Sequence, residues 1–176
     1  MSRAMSVLWV LVRLLYRAVL LVLWLLLLIY LIFKMSERSD AIDSLPAQLE
    51  VDGVVLIGSE SGIREGCGVA VLRMSPTLRT RLLREGLEAL HDARQARGYT
   101  SEYHHFAPWR PTPTAGDEDE AISPIFLGLQ CADADEELAA RIGKAARAKG
   151  GYYSTKPEGA LLLLPREGLI VLGYFG

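Results

Sequence analysis

Side chains able to carry chemistry are scarce in this sequence. There are two cysteines, Cys67 and Cys131, and three histidines, His91, His104 and His105. No C-x-x-C pair and no H-E-x-x-H occurs, so the spacings of zinc ribbons and zinc peptidases are both missing. Neighbouring histidines on a strand would point to opposite faces, which works against joint chelation by His104 and His105. The stretch GSESGIREGCG (58–68) matches neither G-x-x-x-x-G-K-[ST] nor G-x-G-x-x-G. It also joins two predicted strands, whereas phosphate-cradling loops lead into a helix. Glu60 and Glu65 flank it without any cleft being implied. The acidic run Asp117–Glu120 lacks the alternating ligands and central glycine of a calcium loop and reads as exposed. No metal, cofactor or catalytic residue is therefore predicted.

Lysine is scarce as well, with 4 residues against 15 arginines, a bias common in GC-rich bacterial genomes. Positive charge gathers at the start. Residues 1–40 contain Arg3, Arg13, Arg17, Lys34 and Arg38 against Glu37 and Asp40, whereas residues 41–176 hold 14 Lys and Arg against 19 Asp and Glu. An acidic domain is a poor match for a phosphate backbone, so nucleic acid is excluded as an expected partner.

Apolar residues are abundant, and they are concentrated. Ala18–Phe33 is sixteen residues without a charge. As a helix rising about 1.5 Å per residue, residues 14–33 reach about 30 Å, the thickness of a bilayer's hydrocarbon core. Arg13 and Arg17 at one end and Lys34 at the other mark the membrane boundaries, with Trp9, Tyr16, Tyr30 and Phe33 as an aromatic belt. The run passes into Phe-Lys-Met-Ser-Glu-Arg with no A-x-A-like site, so a retained signal anchor is expected rather than a cleaved signal peptide. The excess of arginine before the span predicts a cytoplasmic N-terminus and a periplasmic C-terminal domain at the inner membrane. The bilayer is thus one expected partner. The expected organisation is an anchor over 1–34 (span about 14–34), a polar juxtamembrane connector over 35–47, and one soluble domain over 48–176.

Within that domain, alternation predicts a strand at Gln48–Ile57, and an apolar run predicts a second at Val69–Met74. Ser75-Pro76 opens a helix whose face is Leu78, Leu82, Leu83, Leu87, Leu90 and Ala93, with Gly98 as its stop. A short strand is placed at Glu102–Ala107 and another at Ile125–Cys131. Asp133 with Glu136 resembles a capping box for a second helix, whose stripe is Leu138, Ile142, Ala145 and Ala146. Lys-Pro-Glu-Gly and Pro-Arg-Glu-Gly are turn sequences that divide Tyr152–Thr155, Ala160–Leu164 and Leu169–Phe175 into a three-stranded meander. The fold class expected is α+β: a mainly antiparallel sheet with two helices packed on one face.

Cys67 and Cys131 each fall at a predicted strand end and are candidates for a disulfide in an exported domain. Tyr103, Phe106, Trp109 and Arg110, in the aromatic and proline-rich segment 99–113, are the candidate interaction residues, because Tyr, Trp and Arg dominate interface hot spots. The alternative is that these rings cover one end of the core. The function expected is a non-enzymatic, membrane-tethered accessory domain that binds a protein: an immunity or inhibitor-type protein, or a small subunit of an envelope complex. Two alternatives stand beside it. One is a small anchored hydrolase or thiol enzyme using Cys67 or Cys131 with a histidine; the other is a scaffold facing the cytoplasm.

Overall fold

A computed structural model of the chain describes residues 2–61, 66–113 and 120–176. The glycine-rich loop between the first two strands and the acidic run fall largely outside these residues. The chain divides into two compact units, Met1–Ser39 and Asp40–Gly176.

The first unit is helix α1, Ser2–Asp43, whose last turn belongs to the second unit. Its Leu11–Asp43 portion contains a window of mean hydropathy 2.7 with none of it buried, long and apolar enough to cross a membrane. Leucine and tryptophan are exposed on all sides of it, Leu21 and Trp24 by 70% and 69%. A surface helix of a soluble domain would instead carry an apolar stripe on one side. The Arg13 guanidinium lies 4.0 Å over the ring of Trp9, and Lys34 pairs with Glu37 at 2.7 Å. The polar stretch beyond Phe33 continues as helix to Asp43. Leu45 and Leu49 are fully buried, so packing of the second unit starts ahead of residue 48.

The second unit is α+β. Strands β1 (Val51–Ser61), β2 (Gly66–Met74), β3 (Arg110–Pro111), β4 (Tyr152–Lys156), β5 (Gly159–Leu164) and β6 (Leu169–Phe175) form an antiparallel sheet in the order β1-β2-β6-β5-β4-β3. The helices are α2 (Pro76–Glu85), α3 (Ser123–Cys131) and α4 (Glu136–Ala146). Side chains of successive strand residues alternate between faces, and here both faces are covered. Ala70, Leu72, Leu161, Leu163, Ile170 and Leu172 face α2 and the chain around Leu45, Leu90 and Phe106. Val69, Val71, Ala160, Leu162, Leu164 and Val171 face α3 and α4. Two helices do share a face, therefore, but they are α3 and α4; the helix opened by Ser75 packs on the opposite side. Central β5 is buried at all six positions, which is why its sequence is apolar throughout rather than alternating.

Three predicted elements and one predicted cap are corrected. The helix starting at Pro76 has Ser75 as its N-cap, its hydroxyl accepting from the Leu78 amide at 3.1 Å, but it ends at Gly86 rather than Gly98. Gly86 sits at φ 64°, where a side chain is strained, and its amide bonds back to the Leu82 carbonyl. A 3-10 turn over Gly86–Leu90 and further turns follow, leaving Leu83 and Leu87 exposed instead of on a buried stripe. Gly98 has another purpose: a Cβ there would lie 2.5 Å from Cβ of Asp43, so it lets the chain at Asp43 approach.

The predicted strand at Ile125–Cys131 is a helix. A run of that length cannot be separated from a buried strand by apolarity alone. Its context decides it. Gly58, Val69, Gly173 and Ala160 stand side by side across β1, β2, β6 and β5, a row on the α3 face that is glycine or alanine at every position but Val69. A Cβ on Gly173 would lie 2.4 Å from the Ile125 Cα, and one on Gly128 would lie 2.2 Å from the Gly68 carbonyl oxygen. Helix and sheet backbones thus touch through glycine. The cap of α4 is also shifted: Asp135, not Asp133, accepts from the Leu138 amide, while Asp133 turns the chain at φ 48°. Glu102–Ala107 contains one 3-10 turn, Glu102–His104, and a single bridge from His105 to Gln95, rather than a strand.

Candidate functional site

The segment from Ala93 to Pro113 has little regular structure, so its backbone needs other partners. It finds them in side chains and in β4. Arg94 Nε donates to the Phe106 carbonyl at 3.0 Å, and Gln95 Nε2 to the Tyr99 carbonyl at 2.8 Å. The Ala107 amide donates to the Thr155 carbonyl at 2.7 Å, and the Ser154 hydroxyl to the Ala107 carbonyl at 2.6 Å. Phe106 and Trp109 fasten the segment to the core. Phe106 is fully buried in the core, and the half-buried Trp109 donates Nε1 to the Ala93 carbonyl at 2.7 Å. Phe106 is therefore corrected from an interaction residue to a core residue: alone among the four it points entirely inward. Arg110 lies exposed on β3, opposite Tyr153.

Tyr103 is exposed, and the structure gathers other groups around it. His104 stacks on Tyr99 with centroids 3.8 Å apart and planes 4° from parallel, while Tyr103 meets His104 edge-on at 5.1 Å. The Lys156 ammonium sits 4.5 Å from the centre of the Tyr103 ring, and the Tyr103 hydroxyl donates to the Glu158 carboxylate. Glu158 occupies the β4–β5 turn at φ 56°, a backbone conformation that favours glycine. A carboxylate is thus held where the turn would prefer no side chain. Its bond to the phenol raises the Tyr103 pKa, with burial and the carboxylate's charge adding to the effect. Burial, then the charge of Lys156, lowers the pKa of His104, and burial also lowers that of Lys156. Neither Lys156 nor Glu158 was a candidate from sequence. The only signal was the turn motif itself, which predicts a turn equally well without them.

Beside this cluster lies a groove of about 570 Å³, lined by Arg94, Gln95, Glu102, His105 and Lys156 and by the chain at Phe106–Ala107. His105 Nδ1 is 3.2 Å from Gln95 Oε1. Arg94, Lys156 and the His105 imidazole line it with one carboxylate, Glu102, so basic groups outnumber acidic ones there. The Ser101 hydroxyl is 3.0 Å from His104 Nδ1. A serine hydrolase would need a group orienting the other ring nitrogen. Among the described residues no carboxylate is hydrogen-bonded to His104, and this pair, three residues apart, resembles a local turn cap.

Cys67 and Cys131 form a disulfide with their Cα atoms 6.0 Å apart, tying β2 to the end of α3. Both sulfurs are committed to each other, so neither stands as a free thiol. His91 is exposed beside Asp92, 2.8 Å away. Among the described residues no three His, Cys, Asp or Glu side chains converge on a metal position. No family model, no curated protein and no solved structure matches the chain.

Proposed function

We propose that the chain is a membrane-tethered, extracytoplasmic accessory domain that binds a protein partner, of the immunity or inhibitor type or as a small subunit of an envelope complex, rather than an enzyme. The observation that carries the reading is the corner where exposed Tyr103 and Glu158, with the half-buried Lys156, adjoin the groove. Its side chains are held in place before a partner arrives, which reduces the ordering cost of binding. The apolar helix supports the tether. The excess of arginine ahead of the span supports a periplasmic location, and so does the Cys67–Cys131 disulfide, a bond that persists in oxidising compartments. A cytoplasmic scaffold would keep these two thiols reduced.

Two measurements test this reading. Co-purification from membranes of the Tyr103→Ala/Lys156→Ala double variant is expected to lose a partner that the parent chain retains. An unchanged set of partners would remove the corner from the binding surface. Labelling of Cys67 and Cys131 in intact cells with a membrane-impermeant maleimide is expected only after prior reduction with an impermeant phosphine. Labelling confined to lysed cells would place the domain in the cytoplasm.

A further inference from the structure

Charge on the second unit is segregated. Residues 41–176 carry 14 Lys and Arg against 19 Asp and Glu, yet six of those cations gather at one end of the sheet, around the turn between β5 and β6. Two hollows meet there and share Arg141 and Glu167. The larger, about 700 Å³, is also bordered by Arg73 and Arg79; the smaller, about 330 Å³, by Lys144, Lys149 and Arg166. Among the residues that line the two hollows Asp52 and Glu167 are the acidic ones, and Glu50, hydrogen-bonded to Ser75, lies next to the larger.

Structural duties account for part of this. Arg79 fastens the turn, donating from Nε to the Pro165 carbonyl and from Nη2 to the Arg166 carbonyl, both at 2.8 Å. Arg141 stands 3.7 Å from Glu167. Lys144 offsets the negative end of α4. No such duty covers the others: among the described residues the side chains of Arg73, Lys149 and Arg166 make no hydrogen bond or ion pair. The Arg166 guanidinium lies beside Gly150, whose φ of 104° leaves the smaller hollow without a side chain at that position.

The larger hollow carries a second kind of group. Leu83 is 58% exposed and Val55 40% exposed, and both border it next to the arginines. Leu87 is also exposed one turn beyond Leu83. Cations beside exposed aliphatic side chains match the boundary between phosphate headgroups and acyl chains better than they match a free anion, which offers nothing to the leucines. In sequence the second unit begins at Asp40, seven residues after Phe33 closes the apolar run.

We infer that this end of the domain is a docking surface for anionic phospholipid headgroups of the bilayer that holds α1. Guanidinium and ammonium groups engage the phosphates, and Leu83 and Val55 enter the boundary. The inference rests on the tether reading but is separate from the partner-binding corner.

The full chain is reconstituted into nanodiscs of phosphatidylcholine alone or mixed with phosphatidylglycerol, and acylation of Lys144 and Lys149 is followed by mass spectrometry, with Lys156 as internal reference. Incorporation into both kinds of disc tests the tether alone; failure in both overturns that reading. Given incorporation, acylation of Lys144 and Lys149 is expected to slow about fivefold on the anionic discs, the factor for roughly one cation's interaction with such a surface. High salt is expected to abolish the protection, and Leu83→Ser, an exposed position, to weaken it. Equal labelling on both lipids would overturn the inference. So would equal protection by soluble glycerophosphate on phosphatidylcholine discs, which marks a free-anion site. Protection seen only in native membranes would overturn it too, and would mark an acidic protein.

Discussion

The two faces of the sheet are covered in different ways. On one, α3 and α4 lie against it; α3 touches the strands through Gly128, Gly68 and Gly173 and is stapled at its end by Cys67–Cys131. On the other, α2 covers only part of the apolar surface, and irregular chain from Gly86 to Trp109, together with Leu45 and Leu49, covers the rest. A helix satisfies its own backbone and can pack by shape alone. Irregular chain must be satisfied residue by residue, so arginine, glutamine and tryptophan side chains are spent on carbonyl groups. Arg97 is the clearest instance. It donates from Nη2 to the Leu49 and Pro46 carbonyls at 2.7 and 3.0 Å, and its amide donates to the Leu45 carbonyl at 2.9 Å. The looped face is therefore held by polar bonds and ends in exposed groups, and it carries the proposed partner-binding corner.

The largest expected effect breaks the helical face. Gly128→Val places a side chain against the Gly68 carbonyl, where no rotamer helps because the obstacle is backbone. A loss of about 3 kcal/mol or more in urea unfolding is expected, with failure to fold as the extreme. A loss below about 1 kcal/mol would mean that α3 can lift off the sheet without penalty.

A smaller effect is expected on the looped face. Arg97→Ala removes the donors to the Leu49 and Pro46 carbonyls and should cost about 1–3 kcal/mol. Hydrogen exchange should speed up around residues 45–49 and 94–98 while amides of β5 and β6 keep their protection. Uniformly faster exchange would show that the two faces unfold as one unit and would end the contrast drawn between them.

The smallest effect concerns pH at the corner. With the folded pKa of Tyr103 raised above 10.0, its hydrogen bond is fully present below pH 10. Above that the unfolded chain loses its phenolic proton first, so this contribution is lost as pH rises through the folded value. His104 has the opposite sign of shift, with a folded pKa below 6.5. From 6.5 downwards the unfolded chain takes up the proton first, so stability falls with pH across that window. Ultraviolet titration of Glu158→Gln is expected to shift one tyrosine to a lower pKa than in the parent chain. An identical titration curve would show that Glu158 does not govern Tyr103.

Legibility in the sequence followed the same division. The meander β4–β5–β6 was readable because its turns, Lys-Pro-Glu-Gly and Pro-Arg-Glu-Gly, impose local backbone geometry and its strands lie next to each other in the chain. The start of α2 was readable from Ser75-Pro76. Its end was not, because leucines at helical spacing continue past Gly86 and outweighed the Glu-Gly that stops it. The start of α3 has no such cap: Ile122 stands at its N-cap without a side-chain hydrogen bond, and its apolar run is of strand length. At the site, Tyr103 was readable as an exposed aromatic in a polar segment. Lys156 and Glu158 were not, because they reach Tyr103 only through the fold, across more than fifty residues of chain.

By itself the sequence determined what depends on composition and neighbours: an apolar helix long enough for a bilayer, an acidic α+β domain behind it, the cap of α2 and the turns of the meander. These are set within a few residues by hydrophobicity and backbone preference. Tertiary structure alone decided that α3 is a helix, that α2 and α4 lie on opposite faces, that Phe106 is core and that Cys67 meets Cys131. Each of these depends on contacts between segments far apart in the chain, and for α3 the approach to the sheet is set by Gly128, Gly68 and Gly173.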